Sequence, residues 1–369
     1  RATSYWSKVI TMSGTLVFIG CYIPGTDAPN LYTYRLDRKK GELEPLSISC
    51  DVRNPAWLDL HPNDSFLYSV CDVDAPAGEP TGAIATFRIG RDNGRLELLG
   101  QSRTGDAKPC HVSVHPSGSC LLSANYSGGN VCMMPIQGDG TAGPPSQAIQ
   151  YSGSSVNADR QERPHAHSGL FSPDGSFAYV QDLGTDCVRQ YRVDAERARL
   201  ASLDPDAVDI APGSGPRHLV FHPTGPWVYV INELFNTITC LERSDETGQL
   251  RTFQTVPTLP PGFTETSYCA DIRVTPDGRF LYGSNRGHDS LVICRVDEET
   301  GRLRVLGHQA TGGNWPRGFN VDPSGRFAIV ANERGDNVLV FAIDSETGAL
   351  EHTGCTLALP KPVCVQTLG

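Results

Sequence analysis

No uninterrupted apolar run in this 369-residue chain is longer than about seven residues, as at Leu16 to Ile19 and Asn337 to Ile343. A helical membrane span needs roughly 20, so no segment is expected to cross a bilayer. Positive charge is also short, with 31 Lys and Arg against 41 Asp and Glu and a formal net charge of −10. Nucleic acid and anionic lipid both attract dense Lys and Arg, so neither is expected as a partner. The start, Arg1 to Ser13, lacks the apolar stretch and small-residue cleavage pattern of a secretory leader. Residues 1–14 are expected to be an extension outside the fold, with Met12 a candidate internal start, and the protein is expected in the cytoplasm. The 12 cysteines include no C-x-x-C pair and mostly stand singly in strand-like runs such as SCLLSAN, TITCLE and LVICRV. Reduced, buried thiols fit this pattern better than zinc or a disulfide frame. Helical periodicity is absent almost everywhere. What remains is 39% hydrophobic and 20% charged, ample for a core and too apolar for disorder.

A turn signature recurs along the chain as HPND at 61–64, HPSG at 115–118, SPDG at 172–175, HPTG at 222–225, TPDG at 275–278 and DPSG at 322–325. Its prolines are spaced by 47 to 57 residues, a period that divides the chain into about seven units. Each signature lies between two short apolar runs, as in HLVFHPTGPWVYVIN. Proline presets such a turn and the fourth-position glycine is expected to supply positive φ, so the unit is a β-hairpin. A third β-branched or alternating run follows, then a D-x-x-x-G-x-L turn at Gly41, Gly94, Gly248, Gly301 and Gly348 that leads a fourth. Four antiparallel strands per repeat of about 50 residues predict the blade of an all-β propeller. Six turns supply six blades, and the chain ends supply the seventh. Thr15 to Tyr22, Leu31 to Asp37 and Glu42 to Ser47 read as second, third and fourth strands, and the C-terminal PVCVQTL as their missing first. The expectation is one seven-bladed domain over 15–369, closed by N- and C-terminal strands sharing a blade. The 138–163 and 76–82 stretches read as loops inside it.

In such a blade, the loop entering the first strand and the loop joining the second to the third share one face, opposite the P-x-G turns. Six residues before each repeat proline stand Ala56, Cys110, His167, Arg217, Ala270 and Arg317. A blade requires only a small residue there, so the imidazole and the guanidiniums point to chemistry. Eight residues beyond the fourth turn position stand Asp72, Tyr126, Leu183, Glu233, Arg286 and Glu333; seven beyond stand Cys71, Asn125, Asp182, Asn232, Asn285 and Asn332. The Asn and Asp set reads first as turn capping. His61, His115 and His222 precede turn prolines and repeat with the fold, which favours a packing role. The H-A-H at 165–167 would place both imidazoles on one side of an extended strand, but no third ligand clusters with them, so no metal is expected. Neither a G-x-S-x-G nucleophile elbow nor a P-loop occurs.

The segments RPHAHSGLFSPDG, GPRHLVFHPTG with VYVINELFNT, LYGSNRGHDS, and KPCHVSVHPSG with SANYSGGNV resemble the propeller-type lactonases. That family includes bacterial 6-phosphogluconolactonases and fungal 3-carboxy-cis,cis-muconate lactonizing enzymes, and the likeness runs from about Thr15 to Leu368. The resemblance implies a catalytic group of His167, Glu233, Arg217 and Arg286, which the repeat arithmetic also brings together. His165, Arg317, Asn232 and Asn285 are expected to bind substrate. The implied activity is cofactor-free hydrolysis of an anionic lactone, 6-phosphoglucono-1,5-lactone to 6-phosphogluconate in the pentose phosphate route, by a monomer or weak homodimer. Arg would bind phosphate or carboxylate, and a base would activate water while an Arg stabilises the oxyanion. His167, His165 and Glu233 remain open as the base. Ring closure of a carboxylated muconate and a non-catalytic propeller scaffold are the alternatives.

Overall fold

The computed structural model describes residues 14–26, 28–74, 80–105 and 108–369. These form seven four-stranded antiparallel sheets. Blade 1 takes its innermost strand, Pro362–Leu368, from the C-terminus and its other three, Thr15–Cys21, Leu31–Asp37 and Glu42–Ser49, from the N-terminus. Blades 2 to 7 follow in order over 58–103, 111–150, 166–209, 216–257, 268–310 and 316–358. Each innermost strand touches that of the next blade, and the succession closes on itself. The seam is made of apolar groups: Val363, Cys364 and Val365 are buried, and Val365 pairs with Ile19.

The second strands are buried along most of their length and carry apolar side chains on both faces, because both of those faces are covered. Side chains alternate across a strand. In Trp227–Asn232, accordingly, Val228 and Val230 pack with Tyr179 and Leu219 toward blade 4, while Tyr229 and Ile231 pack with Ile272 and Leu281 toward blade 6.

Turn chemistry repeats with the fold. Gly118, Gly175, Gly278 and Gly325 take φ of 71–78°, and Asp64 fills the same place at 58°. Gly225 departs from the expected positive φ, because it precedes Pro226, whose ring biases the preceding residue toward extended backbone. The D-x-x-x-G glycines hold neighbouring blades together. A Cβ on Gly248 or Gly301 would stand 2.2 Å from the ring of Phe177 or Trp227 in the preceding blade. The tyrosine two residues further along that strand donates its hydroxyl to the same glycine's carbonyl, as in Tyr229 to Gly301 at 2.8 Å.

Two sequence expectations shift. The 138–163 stretch contains a fourth strand, Gln147–Gln150, and of 76–82 the last three residues belong to Pro80–Ile89 while the rest lies outside the described residues. Residues 1–13 of the expected extension lie outside them too. None of the 12 cysteines is paired and nine are buried.

Candidate active site

Side chains reach the propeller axis through a bulge at the mouth of the innermost strand. In blade 4, Ala166 pairs with Asp182 and Ser168 with Gln181, leaving His167 unpaired. Blade 5 skips Arg217 between Pro216 and His218, and blade 7 skips Arg317 between Pro316 and Gly318. Blade 6 skips two residues, Ala270 and Asp271, between Cys269 and Ile272. An extra residue breaks the alternation and re-aims its side chain, here toward the centre. In blades 4 to 7 the residues six positions before the repeat prolines, His167, Arg217, Ala270 and Arg317, are therefore bulge residues.

Glu233 is the hub of a cavity of about 470 Å³ on the face opposite the P-x-G turns. It directly follows the strand Trp227–Asn232, and its backbone N–H donates to Gly215 at 2.7 Å. Its Oε1 accepts from Arg160 Nη2 at 2.6 Å, and its Oε2 accepts from Arg217 Nε at 2.9 Å and lies 3.0 Å from Arg286 Nη2. Burial opposes ionisation of this carboxyl, yet Arg286 and Arg217, with His167 and Arg160, outweigh it and hold the pKa well below the usual carboxylate range. Burial lowers the pKa of Arg217, as do the neighbouring Arg286 and Arg317 cations. One carboxylate is thus shared by three guanidiniums, and the centre is left cationic. Among the described residues lining the cavity, the cations Lys108, Arg160, Arg286, Arg317 and Arg334 outnumber the acids Asp72, Glu233 and Glu333, in a chain whose net charge is −10. Such a pocket concentrates an anion against the field of the whole molecule.

His167 is buried beside this cluster, with Nε2 3.8 Å from Glu233 Oε2 and, among the described residues, no partner for Nδ1. Burial, reinforced by Arg217 and only partly opposed by Glu233, pushes its pKa well below 6.5. The imidazole is neutral at physiological pH and holds a lone pair for a proton.

The other expected residues separate. Arg317 lines the cavity, with Nη1 3.4 Å from Glu333. His165 does not share the side occupied by His167. It precedes the strand, stacks on Tyr126 at 4.4 Å, places Nδ1 3.1 Å from the Tyr126 carbonyl and lies beside Glu162. Asn232 and Asn285 are fully buried and turn away from the cavity: Asn232 donates to Thr237 and Thr239, Asn285 to the Thr258 carbonyl and Ser290. The physical reason is alternation, because each precedes a residue that faces the pocket and so points back into its blade. Among the described residues, no group of three or more His, Cys, Asp or Glu is placed to hold a metal ion.

Sequence reasoning missed Arg160 and the aromatic wall of Tyr22, Tyr268 and Trp315. Arg160 lies between blades 3 and 4, outside the repeat, where counting from turn prolines does not reach. Trp315 did carry a signal in W-P-R. It holds φ 66°, rare for a bulky residue, with its N–H bonded to Asp289 at 2.8 Å, and Arg334 lies over its ring at 3.5 Å.

Comparison with known proteins agrees with this geometry. The chain is 34% identical over 357 residues to the 6-phosphogluconolactonase of Bacillus subtilis, covering 97% of this chain and 99% of that protein. The crystal structure of a putative 6-phosphogluconolactonase from Bacteroides fragilis superposes with a TM-score of 0.89 at 33% identity, covering 98% of this chain and 99% of that one. A periplasmic gluconolactonase of Pseudomonas aeruginosa superposes with a TM-score of 0.88 at 32% identity, covering 97% and 99%. Residues 16–367 match the family model described as lactonase, 7-bladed beta-propeller, so the chain belongs to that lactonase family and is a lactonase.

Proposed function

We propose that the pocket hydrolyses 6-phosphoglucono-1,5-lactone, with His167 as the general base. The observation that carries this reading is the shared carboxylate. Glu233 neutralises one of the three guanidiniums it holds, so Arg217 and Arg286 keep positive charge for an anionic substrate and for the oxyanion that forms on the lactone carbonyl. Neutral His167 accepts a proton as water attacks the carbonyl carbon. The tetrahedral intermediate then collapses with cleavage of the ring C–O bond. The resulting imidazolium returns its proton to the departing ring oxygen, and the new carboxylic acid ionises to solvent. Glu233, held ionised by its cations, is a poor base and serves to orient them. Arg317 and Arg334 at the cavity wall are the candidates for the phosphate, since among the described residues the Arg317 guanidinium has one long contact, to Glu333, and that of Arg334 lies over the Trp315 ring.

The likeness to a gluconolactonase supports a second reading in which the sugar lactone is unphosphorylated. A panel assay separates the readings, using phosphorylated gluconolactone, gluconolactone and a muconate-derived lactone with spontaneous hydrolysis subtracted. The expected result is a kcat/KM at least about tenfold higher for the phosphorylated lactone. Preference for gluconolactone overturns the phosphate assignment, and turnover of the muconolactone alone overturns the hydrolase reading in favour of ring closure and opening on a carboxylated substrate.

A further inference from the structure

Beneath Arg217 lies a second layer of buried polar groups that the reaction does not touch. Arg217 Nη1 donates to the Ala270 carbonyl at 2.6 Å and faces His218 Nε2 at 3.2 Å. A guanidinium has no acceptor, so the proton in this contact belongs to Arg217, and Nε2 of His218 must be bare. The imidazole proton then resides on Nδ1, which lies 3.0 Å from Asp271 Oδ1. Among the described residues, the Asp271 carboxylate is held in turn by donors: the N–H of Ile272 at 2.9 Å, the N–H of Phe319 in blade 7 at 3.3 Å, and Arg273 Nη2 at 3.1 Å. A carboxylate surrounded by donors accepts from Nδ1–H and cannot give a proton to it, which leaves one tautomer for His218.

We infer that His218 and Asp271 form a tautomer lock that presents a fixed acceptor to Arg217 and so aims its guanidinium at the substrate. The bulge in blade 6 supplies both halves of the support, the Ala270 carbonyl directly and Asp271 through His218. With Nε bound to Glu233 and both protons of Nη1 engaged, Nη2 is the arm of Arg217 without a hydrogen bond among the described residues. That arm is the one left for a substrate oxygen. His218 is a positioning residue in this scheme, and its kinetic consequence rests on the proposed lactone hydrolysis.

Nitrogen-15 NMR of histidine-labelled wild-type protein reads the lock directly. The expected His218 signals are a protonated Nδ1 and a bare, hydrogen-bonded Nε2; a protonated Nε2 overturns the inference. Two variants test its purpose. His218→Gln keeps an acceptor oxygen near the Nε2 position, whereas His218→Phe keeps a ring against Trp57, which lies 4.7 Å from the imidazole, and removes the acceptor. His218→Phe is expected to lose roughly tenfold or more in kcat, with His218→Gln recovering most of it at unchanged thermal stability. Equal activity in both variants overturns the assignment. Crystals of the two variants show whether the guanidinium swings away only in His218→Phe. That placement and the NMR spectrum decide the inference without turnover, while a wild type that hydrolyses no lactone overturns the proposed function alone.

Discussion

At the P-x-G end of the propeller, His61, His115 and His222 each place Nε2 2.9 to 3.1 Å from the carbonyl of the turn glycine in a following blade, namely Gly118, Gly175 and Gly278. At the opposite end His167 has an Nδ1 without a partner among the described residues and an Nε2 facing a carboxylate at 3.8 Å. The residue type is the same and the use is different. The first three recur at one repeat position and spend their hydrogen bonds joining blades. His167 occurs once at its repeat position, displaced by a bulge, and in the proposed reaction its ring is the one left for chemistry. Repetition marks what the ring needs, and departure from it marks what the pocket needs.

The widest test of that contrast removes the closure on which both ends depend. Deleting residues 360–369 takes away the strand Pro362–Leu368 and exposes the edge of the fully buried Thr15–Cys21. Cooperative thermal unfolding is expected to be lost, and a truncated protein with an unchanged Tm would show that the ring does not need its seam. Next in size, Glu233→Gln strips three guanidiniums of their shared carboxylate. Breaking a buried ion pair costs about 3–5 kcal/mol, so a fall in Tm is expected together with a loss of kcat/KM of roughly a hundredfold or more. Retained activity would place the chemistry elsewhere.

Acid separates the two ends by a smaller margin. Burial first, and then nearby arginines, lower the pKa of the axial histidines His111, His167 and His218, with His111 pushed down to about 3. Below about pH 6.5 the unfolded chain takes up protons that these folded imidazoles refuse, so their contribution is complete above that pH and fades as pH falls. Each adds a slope of about 1.4 kcal/mol per pH unit. Asp59, pushed up to about 6 by burial, and Asp271 offset part of it at lower pH. Tm should fall from pH 7 to 5, and His111→Phe should flatten the profile; a profile unchanged by His111→Phe contradicts the assignment. The smallest effect belongs to the joins between blades. Tyr229→Phe deletes one hydroxyl bond to Gly301 and should cost about 1–2 kcal/mol of stability with kcat/KM unchanged. A kinetic defect in this variant would mean that the two regions are coupled.

Reading the candidate site from sequence rested on using the repeat as a ruler. In blades 4, 5 and 7 the bulge residue stands six positions before the turn proline, so counting reached His167, Arg217 and Arg317. Most second strands end seven or eight residues beyond the fourth turn position, so counting reached Glu233 and Arg286. The same ruler misassigned Asn232 and Asn285 by one residue, and one residue in a strand is the difference between pocket and blade interior. His165 failed for a related reason, since it stands ahead of the strand whose extended geometry was assumed for it.

The sequence by itself determined the number of blades, the place of the six hairpins at the repeat prolines and the joining of the two termini in one sheet. These rest on turn chemistry and on alternation over a few residues, which act locally wherever the chain lies. Only the tertiary structure decided that Arg160 would reach Glu233 across 73 residues of sequence, that three arginines would share that carboxylate, and that His218 would stand between Arg217 and Asp271. Those contacts arise where blades meet at the axis, and both protonation and aim there are set by burial and by neighbours from other blades.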